Sequence, residues 1–193
     1  MAEQLHYSLR VALLVDRLAR LTRELQYVAG LNPAQWEALR YLASANRYSR
    51  SPGAVAQFLG ATKGTTSQTL ITLESKGLIE RSPCRGDRRQ VDLALTPAGQ
   101  ALVADDPIAG VELVARDLDD EMGAGLVKGL SRLLHDLQHR LGVKEFGVCE
   151  NCTLFCVKDA AGAGAESHRC GLTGEQLNDD EPKLRCVEFR GAA

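Results

Sequence analysis

Between Arg50 and Leu95 the chain reads RSPGAVAQFLGATKGTTSQTLITLESKGLIERSPCRGDRRQVDLAL, and the order of breaks and apolar positions in this stretch leaves few ways to fold it. Ala54, Val55, Phe58 and Leu59 fall on one face at helical spacing, and Gly60 stops that helix. Thr62 is a good N-cap and predicts a second helix over Lys63 to Lys76, ended by Gly77. Leu78 to Arg81 predicts a strand. Its partner is Gln90 to Leu95, where Val91, Leu93 and Leu95 alternate with Gln90, Asp92 and Ala94. Ser82 to Arg89 lies between them as a hairpin loop carrying Arg85, Arg88 and Arg89. Two short helices, a tight turn and a basic hairpin describe a winged helix-turn-helix. The plainer alternative is a helix pair with a surface hairpin whose arginines are merely solvated.

The second helix favours the first description. Leu70 and Leu73 anchor it, while Lys63, Thr65, Ser67, Gln68, Thr69 and Thr72 give its other face short or hydrogen-bonding side chains. A helix that enters the major groove of duplex DNA needs such groups to reach base edges and phosphates without bulk. From Gly60 to Val91, six cationic side chains stand against three acids, a local balance of +3 in a chain of net charge −2. A positive patch on a mildly acidic protein fits phosphate binding confined to one face.

The runs TKGTTSQ, LITLESKGLIER, GDRR and LALTPAGQ resemble the MarR-type bacterial transcription regulators, over about residues 5 to 141. The resemblance implies that the helix from Thr62 to Lys76 enters the major groove and that the wing arginines enter the adjacent minor groove. It nominates Lys63, Thr65, Ser67, Gln68 and Thr72 for the groove and phosphates, and Arg85, Arg88 and Arg89 for the wing. Asp87 is expected to brace a neighbouring arginine, since a carboxylate repels phosphate. Gln68 stands where the family often carries an arginine, so the base preference is expected to differ from that of better-known members.

The flanks predict long helices. From Leu5 to Val28, apolar residues from Leu9 to Val28 recur at helical spacing, with Arg10, Arg17, Arg20 and Arg23 on other faces. Asn32 and Pro33 open a helix through Trp36, Leu39 and Leu42, and Thr96 and Pro97 repeat that start signal. Asp105 to Pro107 breaks the latter helix, Ile108 to Leu118 resumes, and a last amphipathic helix carries Leu126, Leu130, Leu133, Leu134, Leu137 and Leu141. Stripes too large for one wing to cover predict a homodimer, as the resemblance also implies. Two recognition helices related by a twofold axis would read a palindrome with half-sites roughly 34 Å apart. The alternative is a monomer that packs these helices on itself.

Beyond Leu141 the resemblance stops and the composition changes. Five of the six cysteines lie in the last 45 residues, in a segment with too few apolar side chains to fold on burial alone. Cys149 and Cys152 form a CxxC that can grip one centre from a single turn, and Cys170 and Cys186 complete four ligands, with Cys156 and His168 as alternates. Such a set suits structural zinc or an iron–sulfur cluster. A zinc ribbon usually brings two CxxC pairs and only one is present, so the expectation leans to the cluster; a metal-free thiol switch is the third option. A redox-active centre would also supply the signal that a regulator needs. The tail itself counts six cations against nine acids, which argues against a second grip on DNA. In the wing, Cys84 stands beside Arg85, where it is either an activated thiol or a bystander.

The expected fold class is therefore mainly α with a small β-hairpin wing, an α+β winged helix, with a helical dimerisation region. Residues 1–141 form the winged-helix and dimerisation domain, and 142–193 a cysteine-rich appendage. With 193 residues, 45% hydrophobic and 25% charged, the chain is globular. No secretory signal or membrane-length apolar run is visible, so a reducing cytoplasm is the expected setting for the thiols. The expected function is a non-enzymatic, DNA-binding regulator controlled by the tail cluster. Its rivals are a small-molecule-responsive repressor with a zinc staple and a redox or electron-transfer protein. No GxGxxG, Walker loop or Ser/His/Asp arrangement supports an enzyme.

Overall fold

The computed structural model describes residues 2–84, 87–159 and 166–191, and shows a mainly helical chain with three small antiparallel sheets among those residues. Seven helices carry it: α1 (Ala2–Leu25), α2 (Pro33–Ser44), α3 (Pro52–Leu59), α4 (Lys63–Ser75), α5 (Pro97–Ala104), α6 (Ala109–Ala115) and α7 (Asp120–Leu141). The wing is β1 (Ile79–Cys84) paired with β2 (Asp87–Leu95).

Local chemistry fixes most of these ends. Asn32 and Gln35 form a reciprocal capping box at α2, each side chain accepting from the other's backbone N–H at 3.0 Å. Ser51, Thr62, Thr96 and Asp119 cap α3, α4, α5 and α7 in the same sense. Each such cap satisfies an N–H that the helix cannot, and contributes about 1 kcal/mol. Gly60 closes α3 in the left-handed conformation, at φ 60°, where a side chain would be strained.

The core gathers α2, α3, α4, α5 and the wing. Trp36, Leu39, Tyr41, Val55, Leu70, Leu73, Ile79 and Leu93 are fully buried there. Leu70 and Leu73 come from the inner face of α4, so the core grips that helix from behind and turns its polar face outward.

Two expected boundaries move. The first helix ends at Leu25 rather than Val28, because the chain turns there and Leu31 enters the core. The expected hairpin loop of Ser82 to Arg89 is mostly strand: β1 continues through Pro83 to Cys84, and β2 begins at Asp87. A two-stranded ribbon has open edges, so a proline that lacks a donor is tolerated, and the register shifts between Pro83 and Cys84. Arg88 and Arg89 thus stand on β2, not in a loop.

The cysteine-rich tail is folded, and folded against the rest. It contains β3 (Gly147–Val148) paired with β7 (Arg185–Cys186), and a sheet of β4 (Phe155–Asp159), β5 (Glu166–Cys170) and β6 (Gln176–Leu177). Val187 belongs to the main core, and the Phe146 ring packs edge-on against Tyr41 and Phe58 at 5.8 and 5.2 Å. A Cβ at Gly147 would stand 2.4 Å from the Phe189 ring, so that close approach requires glycine. The tail is therefore seated on the α2–α3 corner rather than hung from α7.

Candidate functional site

On α4, Lys63, Thr65, Ser67 and Gln68 are exposed and Thr72 is half-buried. Thr65 Oγ1 shares a hydrogen bond with Thr62 Oγ1 at 3.0 Å, and the Thr72 hydroxyl donates back to the Gln68 carbonyl at 2.9 Å. Threonine donors spent in this way hold the rotamers, while their oxygens remain able to accept. Ser67 and Gln68 project one turn from the positive end of the helix, where backbone N–H groups also favour phosphate.

Beside this face, Arg81 pairs with Glu74 at 2.8 Å, so one cation of the basic stretch braces the hairpin against α4. The remaining wing groups fall differently. Arg85 lies outside the described residues, as do the side chains of Cys84, Asp87, Arg88 and Arg89, although the backbone places Cys84 at the end of β1 and the last three on β2.

The second candidate site is a cavity of about 30 Å³ at the junction of tail and winged domain. Cys149, Cys152, Cys170 and Cys186 all line it, with Tyr48 from the winged domain and Leu177 among the other walls. That volume would hold about two waters. Cys149 and Cys186 are buried, Cys152 and Cys170 half-buried, and none is in a disulfide. The two alternates stand apart from the cavity wall: Cys156 is exposed on β4, and His168 packs on Phe155 with ring centroids 5.3 Å apart.

Sulfur in this cavity is supplied with donors. Asn46 Nδ2 donates to Cys149 Sγ at 3.4 Å, and the Glu188 backbone N–H donates to Cys186 Sγ at 3.3 Å. Cys149 also donates to Cys186, which holds the Cys149 thiol well above its usual range and brings Cys186 down to about 6. N–H donors aimed at sulfur and an apolar lining are the features that stabilise thiolates bound to a metal. As the side chains stand, no three Cys, His, Asp or Glu groups among the described residues are arranged to hold a single ion. The donor chemistry, four cysteine sulfurs with N–H groups aimed at two of them, is that of a thiolate centre.

Sequence reasoning missed what holds the tail in place. Arg47 reaches Glu175 at 3.1 Å and the buried Glu181 at 3.3 Å, and the Tyr48 hydroxyl donates to Glu175 at 2.6 Å. Asn46, Arg47, Tyr48 and Ser49 form a polar run between two apolar helices, which is the only local hint of a docking corner.

Residues 29–90 match the family model of the MarR family. Among solved structures, a mutant of MepR from S. aureus is 24% identical, with a TM-score of 0.56, covering 68% of this chain and 98% of its own. The S. aureus MepR–DNA complex is also 24% identical, at a TM-score of 0.53 and the same coverage. A probable transcriptional regulator from Pseudomonas aeruginosa is 23% identical, with a TM-score of 0.51, covering 64% of this chain and 96% of its own. The winged-helix portion of this chain, residues 29–90, is thus similar in sequence to the MarR family and shares its fold with the MepR structures.

Proposed function

We propose that the chain is a transcription regulator that binds palindromic duplex DNA as a homodimer, under the control of an iron–sulfur cluster held by Cys149, Cys152, Cys170 and Cys186. The DNA-binding part rests on the outward polar face of α4 beside a basic ribbon, in a segment that matches the MarR family. The fold it shares with a MepR–DNA complex agrees with this reading.

Dimerisation is supported by apolar side chains that one copy leaves in water. Leu9, Leu13 and Leu18 on α1, and Leu126, Leu130, Leu134 and Leu137 on α7, are all exposed. Burying such stripes against a second copy would recover about 25 cal/mol per Å². No helix among the described residues is long and apolar enough to cross a membrane.

The observation that carries the centre is that four sulfurs, drawn from three separate parts of the tail, line one cavity and exclude the fifth. When bound, a cluster would supply a redox- and iron-sensitive charge at that point. The chain's own residues would hold it through four thiolates, exclude water with Leu177 and Phe155, and aim Asn46 and the Glu188 amide at sulfur. Binding of purified protein to palindromic duplexes selected from a random pool, measured against salt, tests the regulator reading. Steep salt dependence and twofold stoichiometry are expected. Salt-independent or absent binding would favour an electron-transfer role instead, and zinc in place of iron a structural staple.

A further inference from the structure

The cavity's winged-domain neighbours form a continuous polar path to the DNA-binding elements. Asn46 is fully buried, and every polar group of its side chain is engaged. Nδ2 donates to Cys149 Sγ at 3.4 Å, while Oδ1 accepts from the Ser49 hydroxyl at 2.6 Å and from the Tyr48 amide at 3.1 Å. Its backbone N–H donates to the Arg185 carbonyl at 2.8 Å, next to the fourth cysteine. Ser49 in turn accepts from the Val187 amide at 2.8 Å, and Tyr41 donates to the Ser49 carbonyl.

The same short loop leads straight into the winged helix. The Arg50 carbonyl accepts from the Leu93 amide of β2 at 2.8 Å, and Ser51 caps α3. A shift of Asn46 therefore moves the residues that fix both the wing strand and the first helix of the helix-turn-helix. Buried, fully satisfied polar networks transmit such shifts, because leaving any member unpaired is costly.

We propose that Asn46 is the positioning residue through which occupancy of the four-cysteine centre sets DNA affinity. This rests on the thiolate-centre reading above. Cys149 Sγ lies on the cavity wall and accepts from Asn46 Nδ2 at 3.4 Å. A bound centre would take Cys149 Sγ as a ligand and fix its place in the cavity, and the Asn46 amide and the loop from Ala45 to Arg50 would be fixed with it. Coupling of this kind is reciprocal, so DNA must change the affinity for the centre by the same factor.

The test uses the full chain, purified without oxygen, either loaded or stripped by a chelator under reductant. Its DNA affinity is measured on a duplex selected in vitro against the loaded protein. Loading is expected to change the wild-type Kd by about tenfold. Asn46→Leu keeps the approximate volume and stays neutral, but removes the N–H aimed at Cys149. It should retain iron and sulfide, shift the visible charge-transfer band, and show a loaded-to-stripped ratio near one. Asn46→Ala should do the same if it folds. Thr153→Ala, which removes a tail hydrogen bond to the Arg190 carbonyl away from the cavity and Asn46, should keep the wild-type ratio. A fully loaded Asn46→Leu with unchanged ratio and band overturns the role of Asn46 and leaves the centre standing. Equal loss of coupling in Thr153→Ala also overturns it. Wild-type protein that binds no metal at all removes the centre and this inference together.

Discussion

The backbone N–H of Val187 donates to the hydroxyl of Ser49 over 2.8 Å, although the two residues are 138 positions apart in the chain. Both residues are buried, and Val187 is part of the core that holds Trp36 and Leu70. The cysteine-rich segment and the winged helix thus share one hydrophobic interior, and they are expected to unfold together.

Ser49→Ala removes the acceptor for Val187 and the donor to Asn46 at once. Leaving such groups unpaired should cost about 1–3 kcal/mol, or roughly 2–4 °C in Tm for each kcal/mol. Calorimetry should show one transition moving down as a whole. A tail transition separating from an unmoved winged-helix transition would mean that the two parts are independent.

Arg88 and Gln68 should divide the work on DNA. Arg88→Ala is expected to weaken binding to all duplexes alike and lower the salt slope by about one. Gln68→Ala, on the exposed face of α4, should change preference at one base position while leaving the slope alone. Binding titrations across salt and across single-base variants separate these outcomes; matching profiles for the two variants would refute the assignment.

Leu13 on α1 is 60% exposed and Leu134 on α7 is 58% exposed. Leu13→Glu places a charge in a face that a second copy would cover, and sedimentation should then report monomers. Affinity for a palindrome should fall at least about 100-fold, since the two half-sites are no longer bound by one object. A variant that stays dimeric, or a wild type that sediments as a monomer, would place the interface elsewhere.

What was legible in the sequence is what neighbours in the chain decide. Asn32–Pro33, Thr62 and Thr96–Pro97 announced their helices because a cap acts within three residues, and Leu70 and Leu73 announced the inner face of α4 by spacing. The wing was misjudged for the same reason: Pro83 and the charged run GDRR look like loop locally, yet pairing across the ribbon extends both strands. Cys149, Cys152, Cys170 and Cys186, which line one cavity, were picked out by type and spacing. Their seat was not, because the partners of Asn46 and Ser49 lie 103 and 138 residues away, and nothing near either residue marks them.

Iron and acid-labile sulfide, measured per chain on one fresh anaerobic preparation, test the central claim most directly. The account predicts a coloured protein carrying both, with both lost in Cys149→Ser and Cys186→Ser and retained in Cys156→Ser. A colourless protein with one zinc per chain, or with no metal, would contradict it.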